Sequence, residues 1–105
     1  MKLPALIITS LFLLTQTALA SGIPEPRRME LLNLLKHDCG SCHGLSLKGG
    51  LGPALTPERL RGKPIDFLTA TILYGRTGTP MPPWRPFLTD REAFWLAERI
   101  KEGVR

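Results

Sequence analysis

Cysteine is scarce in this chain of 105 residues: there are two, three positions apart, at Cys39 and Cys42. With that pair committed to one site, nothing remains for a structural disulfide. No run of lysine and arginine is longer than Arg27-Arg28, so the dense basic stripe of a nucleic-acid binder is missing. No segment alternates apolar and polar residues as a half-buried strand does, and no internal repeat divides the chain. The one long apolar run, Leu3 to Leu14, is shorter than the roughly 20 residues that span a bilayer.

That run fits another role. Lys2 precedes it and Ala18-Leu19-Ala20 follows it, which is the order of an export signal: positive residue, apolar stretch, small-residue cleavage site. Residues 1–20 are therefore expected to be a cleaved secretory signal peptide, and 21–105 a single mature domain, soluble and periplasmic. The formal charge of +5 falls by one when Lys2 leaves. A basic balance on an exported protein suits docking to an acidic protein surface, which speeds encounter more than it deepens affinity. A domain this small buries a marginal core and usually recruits a metal, a cofactor or disulfides.

What the chain does contain is Cys39-Gly40-Ser41-Cys42-His43, the C-x-x-C-H pattern of c-type haem attachment. Two thiols on one short turn can add across the two vinyl groups of a haem. The histidine that follows lies under the ring, where an imidazole nitrogen can bind iron axially. One covalently bound haem c per chain is expected, with His43 as proximal iron ligand. A thiol–disulfide pair or half a zinc site is the weaker reading, since only two cysteines exist and no β-α-β pattern surrounds them.

The second axial ligand must come from distant sequence. His37 is two residues before Cys39, pinned to the proximal side, and reads as a helix-end histidine. Met29 falls on the apolar stripe of the first helix and reads as core. Met81 lies in Gly78-Thr79-Pro80-Met81-Pro82-Pro83-Trp84, where flanking prolines reduce the unfolded-state freedom that opposes ligation. Met81 is the expected distal ligand; a methionine that only fills a gap is the alternative. His/Met ligation raises the reduction potential relative to bis-histidine. It also leaves no vacancy for substrate, which argues for electron transfer over catalysis.

The elements read as helices and loops. A helix is expected from about Arg27 to His37, delivering the motif on its final turn and the loop beyond. Gly44 to Pro53 holds four glycines and reads as a loop. Thr56-Pro57-Glu58 is a helix start, with threonine as cap and proline at the first position. Ile65 to Tyr74 reads as a helix with Phe67, Leu68 and Ile72 inward and Gly75 as its stop. Thr89 and Glu92 form a capping box for a last helix running to about Glu102. Its packed stripe is either Phe94, Ala97 and Ile100, or Trp95 with Leu96. The fold class is all-α: three main helices and long loops around a cofactor.

These features together resemble a class I cytochrome c: a leading helix into C-x-x-C-H, Gly-Pro-Ala-Leu at 52–55, an Ile-x-x-Gly at 72–75 and Met-Pro at 81–82. More narrowly, residues 37–44, 48–57 and 81–88 resemble the cytochrome c55X (NirC) family, small periplasmic cytochromes encoded with cytochrome cd1 nitrite reductase. The resemblance covers almost all of the mature chain. It implies the class I fold, Cys39 and Cys42 as thioether donors, and His43 and Met81 as axial ligands. It also implies that the carbonyl of Pro53 accepts the Nδ1–H of the proximal histidine. Trp84 and Arg85, just past Met81, are placed either to reach a haem propionate or to cover the haem edge. The function implied is single-electron carriage towards cytochrome cd1 nitrite reductase or towards haem d1 maturation, by a monomer with no nucleic-acid partner. The rival readings are a ligand-binding or redox enzyme with a labile Met81 bond, and an assembly factor for the reductase that transfers no electrons.

Overall fold

Pro24 and Pro26 set the entry of the first helix. The computed structural model of the chain describes residues 2–4 and 22–104; the rest of the expected signal peptide lies outside the described residues. Helix α1 spans Glu25–Leu34, two residues earlier than expected, because Pro26 in the first turn lacks only an N–H that would have had no helical partner. Its inward face is Leu31, and Leu35 continues that face one turn later. Met29 is not core: it stands two positions from Leu31, on the opposite side of a helix of 3.6 residues per turn, and is 57% exposed.

The helix does not end at His37. Leu35–Cys39 widen into one π turn, closed by the Gly40 N–H on the Leu35 carbonyl. Helix α2, Gly40–His43, follows without a break. The C-x-x-C-H motif is therefore helical throughout, which corrects the expected division between a final turn and a loop. Gly40, inside the motif, has a φ of −62° and a ψ of −23°, ordinary helix values.

Helix α3 spans Pro57–Leu60, with the Thr56 hydroxyl accepting from the Arg59 N–H at 3.4 Å. Helix α4, Ile65–Tyr74, has the expected bounds and buries Leu68 and Leu73. Phe67, expected inward, is 52% exposed. One residue before Leu68 it points about 100° away from that face, and the Lys63 ammonium lies 5.7 Å from its ring centroid.

Helix α5, Asp90–Glu102, opens with the expected capping box. The Thr89 hydroxyl accepts from the Glu92 N–H at 3.1 Å, and the Glu92 carboxylate accepts from the Thr89 N–H at 3.1 Å. Its buried residues are Ala93, Trp95, Leu96, Ala97 and Ile100, so Trp95 rather than Phe94 faces the core. The helix packs along α4 and touches α1 and α3. Arg27 of α1 grips its first turn, with Nε and Nη2 donating to the two oxygens of Glu92 at 2.9 and 3.1 Å. Among the described residues there is no strand, and the architecture is all-α.

Candidate functional site

A helix leaves its last carbonyls without intrahelical donors. In α2 these include the carbonyls of Cys42 and His43, and the glycine-rich loop that follows supplies the missing donors. The Gly52 N–H donates to Cys42 O and the Gly49 N–H to His43 O, each at 2.8 Å. Leu47 makes the reversal at φ 58°, its N–H on Gly44 O and its carbonyl accepting from the Leu55 N–H, both at 2.8 Å. The loop is thereby folded back against the motif, and it delivers the Pro53 carbonyl to 2.7 Å from His43 Nδ1. A carbonyl oxygen can only accept, so Nδ1 carries the proton and Nε2 keeps its lone pair. His43 is only 9% exposed, and no described residue hydrogen-bonds to Nε2.

Cys39 closes the π turn and Cys42 follows in α2, three positions on, a spacing that puts both thiols on one side of the helix. Both are free and half-buried. Burial first, and the neighbouring Asp38 carboxylate second, push the Cys39 thiol up to about 11, so it is held neutral. The Ser41 hydroxyl donates to Asp38 O at 2.7 Å and ties the turn between the two cysteines. His37 is exposed, in a shallow groove with Glu30, Asn33, Leu34 and Asp38.

Met81 is positioned by the same logic at the end of another helix. The carbonyls of Ile72 and Leu73 in the last turn of α4 accept from the N–H groups of Trp84 and Arg85, each at 3.1 Å. The Arg76 N–H donates to Met81 O at 3.2 Å, and the Met81 N–H donates to the Thr79 hydroxyl at 3.4 Å. Both polar groups of the Met81 backbone are thus engaged, while its side chain is half-buried. Gly75, at φ 67°, lets the loop close: a Cβ there would stand 2.7 Å from Met81 O.

Trp84 is half-buried against the core with its ring 5.8 Å from that of Phe87. Arg85 is paired with Asp90 and lies 5.9 Å from the Tyr74 ring centroid. A propionate would therefore have to compete with a carboxylate already in place.

The donor set fits a haem c. Two thiols share a helix side, an imidazole is held in the tautomer whose Nε2 is free, and a thioether sits on a braced loop. Leu45 and Leu51, in the loop around the motif, are 67% and 91% exposed, apolar surface of the kind a flat apolar ligand covers. The Pro53 carbonyl stands beside His43 as the family resemblance implied, whereas the backbone donors of Gly49 and Gly52 were missed. Four clustered glycines gave only the signal of a loop.

Comparison with known proteins agrees. Residues 27–98 match the protein family described as cytochrome C oxidase, cbb3-type, subunit III. The chain is 59% identical over 86 residues to cytochrome c55X of Pseudomonas aeruginosa, covering 81% of this chain and 72% of that one. Among solved structures it superposes on the c-type cytochrome NirC with a TM-score of 0.77 at 57% identity, covering 78% of this chain and 96% of that one. It also superposes on dihydro-haem d1 dehydrogenase NirN in complex with DHE, with a TM-score of 0.62 at 33% identity. That match covers 67% of this chain but only 15% of the dehydrogenase.

The helical fold, the C-x-x-C-H motif and these matches define a class I cytochrome c, a class that carries covalently bound haem c. Within it, the chain belongs to the cytochrome c55X family, monohaem c-type cytochromes of denitrification gene clusters.

Proposed function

We propose that the chain is a periplasmic single-electron carrier, released by removal of residues 1–20, that delivers electrons to cytochrome cd1 nitrite reductase. Cys39 and Cys42 are the thioether donors, and His43 and Met81 the axial iron ligands. When bound, the haem supplies a one-electron iron couple; the chain decides its potential and its access. Pro53 draws on the Nδ1–H of His43, which orients the imidazole and raises the basicity of Nε2. The soft Met81 sulfur favours ferrous iron and raises the potential. Its loop, bonded to α4 through Trp84 and Arg85 and closed on itself by the Arg76 N–H on Met81 O, holds that sulfur in place against small exogenous ligands.

The observation that carries this reading is the 2.7 Å bond from His43 to Pro53, which presents a lone pair, on Nε2, for iron. Stopped-flow oxidation of the reduced protein by purified cytochrome cd1 tests the partner. Oxidation within the turnover time of the reductase supports the proposal; oxidation slower than turnover removes that partner.

A second destination is supported by the likeness to dihydro-haem d1 dehydrogenase: the carrier serves the maturation of haem d1. Mixing the oxidised protein with that dehydrogenase and its substrate distinguishes the two, since reduction of the cytochrome is expected only if it takes electrons from that step.

A further inference from the structure

The geometry points to Gly52 as a positioning residue that sets the plane of the His43 imidazole, an inference that rests on His43 being an axial ligand. A Cβ built on Gly52 would stand 2.8 Å from both Cε1 and Nδ1 of His43 and 3.2 Å from Nε2. A point beside the Cε1–Nδ1 bond in the ring plane would be much farther from Nε2 than from the other two atoms. Near-equal approach to three ring atoms therefore puts Gly52 over the face of the imidazole. Its φ lies outside the left-handed region, so the backbone does not ask for glycine here. The requirement is space, and the imidazole imposes it.

Two restraints act on the ring. The Pro53 acceptor fixes where Nδ1–H points, but one hydrogen bond leaves the ring free to roll about the Nδ1···O line. Gly52 blocks that roll from one face. Gly52 cannot retreat, because its N–H is bonded to Cys42 O at 2.8 Å and its carbonyl accepts from the Gly50 N–H at 3.0 Å. The haem motif thus anchors, through Cys42, the residue that presses on its own histidine. The orientation of the imidazole plane about the iron–nitrogen bond decides which iron d orbital meets the ring's π electrons. A side chain at position 52 would change the electronic symmetry at iron without removing a ligand.

Gly62 is the internal control, outside this loop. Its φ of 80° is left-handed, and a Cβ there would meet nothing within 4 Å. Gly62→Ala strains the backbone elsewhere in the fold and touches neither the loop nor the ring.

The test is electron paramagnetic resonance of the oxidised holoprotein. Gly52→Ala is expected to shift the g values with haem retained and Met81 still bound, whereas Gly62→Ala lowers the melting temperature and leaves the g values at wild type. Unchanged g values in Gly52→Ala overturn the proposal. Should that variant not accumulate as holoprotein, the reduced wild-type protein carries the test. A nuclear Overhauser effect between a Gly52 Hα and the His43 Hε1 is expected, and its absence overturns the proposal. His43→Ala separates this inference from the reading beneath it. If His43→Ala keeps the wild-type spectrum, the ligand assignment has failed. If it loses that spectrum while Gly52→Ala is silent, only the positioning role has failed.

Discussion

His43 Nδ1 and the carbonyl oxygen of Pro53, ten residues apart in sequence, stand 2.7 Å from each other. The contact belongs to the backbone of Pro53, not to its ring, and the loop that makes it is anchored on Cys42 and His43 by Gly52 and Gly49. Pro53→Ala therefore keeps the hydrogen bond. The visible spectrum of the holoprotein should be unchanged, while denaturant unfolding shows a loss of about 0.4–1 kcal/mol from the freer unfolded chain. A changed axial-ligand spectrum would mean that the proline ring itself holds the site.

Met81→Ala removes the proposed distal ligand of the iron. The haem should stay attached through Cys39 and Cys42. Redox titration should give a lower potential, because the soft sulfur that favours ferrous iron is gone. Met29→Ala, at a position facing solvent, should leave potential and spectrum at wild type.

Glu92 closes the capping box and also receives Arg27. The Arg27 hydrogen bonds hold its carboxyl below its ordinary value of 4.5, against the weaker opposing effect of burial and with further help from the Thr89 N–H. A folded pKa below the unfolded one means the contribution is complete above the unfolded value and is lost as pH falls through the folded one. Glu92→Gln, which can still cap, should cost about 1 kcal/mol at neutral pH. Melting curves of the two proteins should converge as the solution is acidified through the carboxylate range. Thr89→Ala should cost about 1 kcal/mol at every pH.

How far the sequence could be read depends on whether the signal was local. The bounds of α4, Ile65–Tyr74, and the Thr89–Glu92 box were legible because caps and stops are decided within a few residues. Pro53 as partner of His43 was legible only through family resemblance. The run of helix through Cys39–His43 was not: it depends on the π turn at Leu35–Cys39 carrying the helix past His37 into Gly40–His43, which no local cap or stop announces. Phe94 and Trp95 are adjacent aromatics with opposite fates, and only the orientation of α5 in the core chooses between them. The place of Gly52 against the imidazole was invisible, since it arises from a tertiary contact made at ordinary backbone angles.

Lys48, Lys63 and Arg76 are exposed and, among the described residues, have no carboxylate within ion-pair distance, whereas Arg85 is paired with Asp90. If they steer the carrier to an acidic partner, the second-order rate of electron transfer should fall as salt shortens the Debye length from about 30 Å at 0.01 M to about 8 Å at 0.15 M. Arg76→Ala should reduce both the rate and its salt slope. A rate that ignores salt would remove electrostatic steering.

An iron held between His43 and Met81, as proposed, is closed to substrate and open to electrons. Absorbance titration of the reduced holoprotein with carbon monoxide at neutral pH tests it most directly. No carbon monoxide complex is expected in the wild type, and one should form readily in Met81→Ala. Rapid carbon monoxide binding by the wild-type protein would contradict it and would favour a haem with a labile distal bond.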